Sequence, residues 1–175
     1  MKTIHEIIWE GLEARNVTAL LIGGHALLAF GVARQTLDID CLMVDSDSEV
    51  LHTILTKAGY METERTENFV RYSHSSIYLM DVDAMLVDRG TFDKMLQHSS
   101  VYRVGAISVR VPCLVHLIAL KLHAIRNNPK RELKDLGDIV ELLRSNSGKV
   151  ASEELESTCV RYGPDGIYAK IKGYL

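Results

Sequence analysis

Apolar and polar positions change their period several times along the chain, and each change marks an element. Ile4, Ile7, Ile8, Leu12 and Ala14 recur at near-helical spacing, so residues 4–15 read as a helix with Thr3 as N-cap. Residues 18–22 form a short apolar strand ending at Gly23-Gly24, and a helical stretch follows from His25 to about Val32. Residues 37–44 alternate and then turn wholly apolar, which suits a sheet strand with one end open to solvent. Residues 46–58 read as a helix capped by Ser46 or Ser48 and stopped by Gly59. Strands at 68–73 and 76–87 flank a turn at His74-Ser75-Ser76. A short helix started by Thr91 covers 91–98, and 100–104 with 106–111 form a hairpin about Gly105.

The character changes after Pro112. Residues 114–126, 132–144, 152–161 and 164–173 are all helix-like. The expected fold class is α/β (α+β): a short, mixed, twisted sheet with flanking helices, followed by a helical segment that closes a cleft. The expected division is an α/β core over 1–111 and a helical segment over 112–175. No Pro-rich or low-complexity linker separates the halves, so they are expected to pack as one unit.

Composition narrows the class. With 47% hydrophobic and 25% charged residues in a 175-residue chain, a core forms without disulfides or a structural metal. Cys41, Cys113 and Cys159 are dispersed, with no C-x-x-C spacing, as expected of reduced thiols in the cytoplasm. A net charge of −3 advertises no large polynucleotide partner, although local patches can oppose the net sign. The first residues carry no apolar signal core, and no apolar run approaches the ~20 residues that span a bilayer. A cytoplasmic protein without a membrane partner is expected.

The chemistry concentrates in three short stretches: Gly23-Gly24-His25-Ala26, Arg34-Gln35-Thr36 and Asp38-Ile39-Asp40. Residues i and i+2 of a strand share a face, so Asp38 and Asp40 stand side by side while Ile39 turns to the core. Two adjacent carboxylates repel unless a cation sits between them. Hard oxygen donors of this kind suit Mg²⁺, and also Mn²⁺. A bare D-x-D more often marks an exposed strand end with two solvated acids. The glycine pair alters that balance, because it closes a strand, opens a helix and lets backbone approach a ligand. Backbone N–H groups at such a turn suit phosphate. A third acid, which would help hold metal and activate a hydroxyl, has two candidates on one apolar strand, Asp81 and Asp83. Asp83 is the favoured one, and either could instead be an edge-strand charge.

The pattern G-G-x-A, R-x-T-x-D-x-D and a later apolar-Asp-apolar strand resembles the polymerase-β-like nucleotidyltransferase superfamily. Within it the chain is most similar to small bacterial AbiEii-type enzymes of toxin–antitoxin and phage-exclusion systems, and to small antibiotic nucleotidyltransferases. The resemblance covers about residues 18–145. It implies Mg²⁺ on Asp38, Asp40 and Asp83 or Asp81, with the triphosphate at Gly23 and Gly24. It further implies that Lys121 neutralises phosphate charge and that Asp135 helps form the active-site floor. Where relatives often carry Gly-Ser, this chain has Gly24-His25, which leaves more of the phosphate contact to backbone N–H groups.

The remaining candidates have plainer alternatives. His25 is a candidate for base contact or proton transfer, with a pKa lowered by the helix N-terminus, or a structural neighbour. Arg34 and Thr36 border the acids, and Arg34 either meets a phosphate or aligns an aspartate. Lys121 could be a snorkelling surface lysine. Lys134 and Asp135 lie in a charge-rich stretch that also makes i,i+4 pairs. The implied partners are a nucleoside triphosphate and an acceptor that is tRNA, protein or a small molecule, with a cognate antitoxin in the toxin-like case. A catalytically inactive nucleotide-binding module is the remaining alternative.

Overall fold

A computed structural model describes residues 2–175. The chain forms two compact units, Met1–Ala26 with Arg34–Pro112, and Leu27–Ala33 with Cys113–Leu175.

The first unit is built on a seven-stranded mixed sheet in the order β3-β4-β5-β2-β1-β7-β6. Its strands are β1 (Leu20–Ile22), β2 (Asp38–Val44), β3 (Tyr60–Thr66), β4 (Phe69–His74), β5 (Asp81–Val87), β6 (Ser100–Val104) and β7 (Ile107–Val111). The β2–β5 and β1–β7 pairs are parallel, and the other neighbours are antiparallel. Three helices of usual length flank the strands in sequence: α1 (Ile4–Glu13), α3 (Ser48–Lys57) and α4 (Arg89–Gln97). A single helical turn, α2 (Gly23–Ala26), follows β1. Helix α1 starts as expected, with a full capping box: Glu6 N–H donates to Thr3 Oγ1 and Thr3 N–H donates to the Glu6 carboxylate. Its apolar stripe, Ile4, Ile8, Trp9 and Leu12, is buried, and α1 packs on α3 and β7. In the sheet Leu20, Leu21, Ile39, Leu42, Met43, Val82 and Ala84 are fully buried.

Several boundaries differ from the sequence pattern for identifiable reasons. Strand β3 has no counterpart in the apolar pattern, because its Glu-Thr-Glu-Arg-Thr run has no apolar face; it is an edge strand held by its backbone pairing to β4. Strand β5 begins at Asp81 rather than 76, and Ile77 and Tyr78 lie 89% exposed in the preceding loop. That loop is fixed by Ser76 N–H donating to His74 Nδ1 (2.9 Å) and by the Tyr60 hydroxyl donating to the Met80 carbonyl (3.0 Å). Helix α3 is preceded by a 3-10 turn at Asp45–Asp47, so neither Ser46 nor Ser48 is its N-cap. Helix α4 starts at Arg89, where Asp88 accepts from the backbone N–H and hydroxyl of Thr91.

The second unit contains α5 (Leu114–Asn127), α6 (Glu132–Ser145), α7 (Ser152–Tyr162) and α8 (Ile167–Tyr174). Its core gathers Ile118, Leu122, Ile139, Leu142, Leu155 and Ile171 together with Leu27 and Val32. This membership explains why the helix expected over 25–32 is broken. After α2 the chain tightens into a 3-10 turn at Leu27–Phe30, whose apolar residues serve this second core. Asn146 Nδ2 fixes the segment by donating to the Phe30 carbonyl at 2.9 Å. Among the described residues no helix is long and apolar enough to cross a membrane.

Candidate active site

The parallel register of β2 and β5 makes the site. It sets Asp38 opposite Asp81 and Asp40 opposite Asp83 on adjacent strands. Ile39 is fully buried, so the two β2 acids share the opposite, half-exposed face. One carboxylate oxygen from each of Asp38, Asp40 and Asp83 lies within 4.8 Å of the others. Three hard oxygen donors this close fit a divalent cation such as Mg²⁺ or Mn²⁺. Asp81 is not part of that cluster. Strand β5 is internal to the sheet, which removes the edge-charge reading for both of its acids.

The glycine pair is shaped around these acids. Gly23 has φ +64, and a Cβ there would meet Asp40 Cβ at 2.6 Å and the carboxylate closer still. At Gly24 a Cβ would lie 2.8 Å from Thr36 Oγ1 and 3.0 Å from Arg34 Nη2. The first glycine thus receives the second acid, and the second glycine receives Thr36 and Arg34. The Thr36 hydroxyl donates to Asp38 Oδ1 at 2.5 Å and orients the first acid. Arg34 Nη1 donates to the Gln35 carbonyl at 2.9 Å, which steadies its guanidinium over the turn.

A family profile described as uncharacterised nucleotidyltransferase matches residues 2–169. The chain belongs to this nucleotidyltransferase family. No curated protein sequence matches it. The fold is shared with the antibiotic-resistance factor ANT(2″)-Ia at 17% identity and TM-score 0.70, covering 98% of this chain and 94% of that one. It is shared with the lincosamide adenylyltransferase LnuA, crystallised with lincomycin, at 14% identity and TM-score 0.58, over 80% and 96% of the two chains. A putative nucleotidyltransferase from Thermotoga maritima aligns at 14% identity and TM-score 0.56, over 75% and 88%.

The other residues of this nucleotidyltransferase stand as follows. His25 is half-buried and sits edge-on to the His5 ring, with centroids 4.8 Å apart. Its Nε2 is buried without a hydrogen-bond partner. The His25 pKa is lowered, as expected, but burial is the main cause; Asp38 opposes the shift and Arg34 adds to it. The helix dipole invoked from sequence has little weight here, because α2 is one turn long. Cys41, directly after Asp40 on β2, is fully buried, and its thiol is pushed up to about 12 by burial and then by Asp40 and Asp83, which disfavours the thiolate.

Sequence reasoning missed Arg71. From β4 it grips Asp83 with both arms, Nε to Oδ1 at 2.8 Å and Nη2 to Oδ2 at 2.6 Å. Only the β4–β5 register, which sets Arg71 opposite Asp83, reveals it. Lys121, Lys134 and Asp135 belong to the second unit. There Lys121 Nζ is buried and donates to Asp138 Oδ2 at 2.6 Å and Asp135 Oδ1 at 3.2 Å. Arg131 Nε donates to Asp135 Oδ2 at 2.8 Å, so the snorkelling reading of Lys121 fails and its charge is matched inside α5–α6. Lys134 is exposed.

Proposed function

We propose that the chain moves a nucleoside monophosphate from a nucleoside triphosphate to an acceptor hydroxyl, with Mg²⁺ held by Asp38, Asp40 and Asp83. The observation carrying this is the convergence of three carboxylates from two strands beside a glycine turn that has no room for side chains. A divalent cation bound there would neutralise developing phosphate charge and lower the pKa of the acceptor hydroxyl. The turn at Gly23 and Gly24 offers backbone N–H groups to the triphosphate, and Arg34 adds a cation beside them. Thr36 keeps Asp38 in a single orientation. The acceptor oxygen bonds to the α-phosphorus, the bond to the β-phosphate oxygen breaks, and pyrophosphate leaves. The acceptor proton passes to solvent or to a carboxylate of the cluster.

A small hydroxyl-bearing molecule is the acceptor we favour. The net charge of −3 offers no general attraction to tRNA. One neighbour of near-equal length has been crystallised with adenylyl-2″-tobramycin and another with lincomycin, which makes small acceptors the first to test. A toxin-like enzyme acting on tRNA or protein, with an antitoxin partner, is the second reading, and its support is the resemblance of the sequence pattern to AbiEii-type enzymes. Dispersed free thiols suit a cytoplasmic location for either.

The test is pyrophosphate release, with labelled nucleoside triphosphates, Mg²⁺, and a panel of hydroxylated small molecules beside a tRNA pool. Asp40→Asn is expected to abolish transfer while leaving the fold intact. Metal-dependent turnover persisting in that variant would remove the assignment.

A further inference from the structure

One row of charges crosses the sheet through the acid cluster. In register on neighbouring strands stand Glu64 on β3, Arg71 on β4, Asp83 on β5 and Asp40 on β2. Strands lie about 4.8 Å apart, so each charge has the next as its neighbour. The first member is placed there by an irregularity: the β3–β4 register shifts between Glu62 and Glu64, so Glu64 rather than Thr63 opposes Arg71. Arg71 therefore has a carboxylate on each side. Its fork holds both oxygens of Asp83, while Nη1 lies 4.0 Å from Glu64 Oε2. The two partners differ in environment, since the Asp83 side chain is 8% exposed and that of Glu64 55%. The guanidinium also lies over the Phe69 ring, 5.5 Å from its centroid.

We propose that Arg71 is the resident counter-ion of Asp83 and is exchanged for the divalent cation, retreating toward Glu64 when the metal binds. The inference rests on the metal role given above to Asp38, Asp40 and Asp83. Three carboxylates within 4.8 Å of one another repel, and a cation close by offsets that repulsion. Arg71 supplies one that is always charged. Its charge also opposes a second cation, so the free protein binds metal more weakly than a bare triad would. A triphosphate arriving with its own metal then overcomes the competition. A residue that merely aligned Asp83 would act in the opposite direction, because its loss would weaken metal binding.

That difference in sign is the test. Arg71→Gln keeps an N–H donor for Asp83 and removes the charge. Mn²⁺ binding to the nucleotide-free protein, measured by electron paramagnetic resonance, is expected to tighten about tenfold or more, since a unit charge within a few ångströms of a divalent ion is removed. Arg71→Met, which removes the donor as well, is expected to melt at lower temperature than wild type without divalent ion. Saturating Mn²⁺ should close most of that gap. Equal or weaker Mn²⁺ binding by Arg71→Gln overturns the exchange and leaves Arg71 as an aligning residue. If neither wild type nor Arg71→Gln binds Mn²⁺, the exchange and the metal reading fall together. If wild type binds and Arg71→Gln binds no tighter, only the exchange is lost.

Discussion

Gly23→Ala separates the site's geometry from ordinary glycine effects. At φ +64 an alanine costs about 1–2 kcal/mol relative to glycine. The larger effect is steric. The added methyl would sit 2.6 Å from Asp40 Cβ and nearer still to the carboxylate, and ordinary van der Waals contact starts near 3.4 Å. The Asp40 carboxylate must therefore retreat by roughly 1 Å or more. A misplacement of that size in a catalytic group lowers rate by about a hundredfold. Gly105→Ala is the matched control: φ is +58, and nothing lies within 4 Å of its Cβ position. Both variants should lose about 1–2 kcal/mol in chemical denaturation from the backbone alone. Only Gly23→Ala should also lose Mn²⁺ affinity and pyrophosphate release. If Gly23→Ala binds metal like wild type, or the two variants lose activity equally, Asp40 does not depend on the bare glycine and the geometric account of the site is wrong.

Four further outcomes follow from the same contacts. Thr36→Val removes the donor to Asp38 and should weaken Mn²⁺ binding about tenfold, the worth of a hydrogen bond to a charged group, with little change in melting temperature. Thr3→Ala dissolves the capping box of α1 and should cost about 1 kcal/mol in denaturant titration. Lys121→Met leaves Asp135 and Asp138 buried without their lysine and should cost about 3–5 kcal/mol; an unchanged denaturation midpoint would refute a structural role for that cluster. His5, lowered to about 4 by burial and then by His25, takes up a proton in the unfolded chain before it does so in the folded one. Its contribution is therefore complete above pH ~6.5 and is lost as pH falls toward 4, by up to about 3 kcal/mol, and His5→Gln should flatten that limb of the stability–pH curve.

What could be read in the sequence was what depends on local spacing. The period of two in Asp38-Ile39-Asp40 gave the shared face, and the Gly23-Gly24 break gave the turn, without knowledge of any partner strand. The α5–α8 helices were legible because each carries its own apolar stripe. The choice between Asp81 and Asp83 was not legible. Both share one face of β5, and only the parallel register with β2, together with the position along the strand, groups Asp83 with Asp38 and Asp40. Strand β3 was hidden for a related reason, since an edge strand exposed along Met61–Thr66 needs no hydrophobic alternation.

The loop at 77–80 and the break after Ala26 share a deeper cause. In both, the apolar pattern points to the nearest regular element, although hydrophobic burial is indifferent to which element supplies it. Leu27 and Val32 belong to a core made mostly of residues beyond Cys113, so the helical pattern begun at His25 cannot continue undisturbed. Ile77 and Tyr78 stay 89% exposed, and their apolar character does not extend β5. Arg71 is the sharpest instance. In sequence it is an unremarkable charge in Phe-Val-Arg-Tyr, and its meaning comes from two registers at once: β4 against β5, and the bulged β3 against β4. A residue set between two carboxylates by separate strand pairings gains its chemistry from topology, so Glu64→Gln, on a strand the sequence did not announce, should weaken Mn²⁺ binding at the triad by removing the place to which Arg71 withdraws.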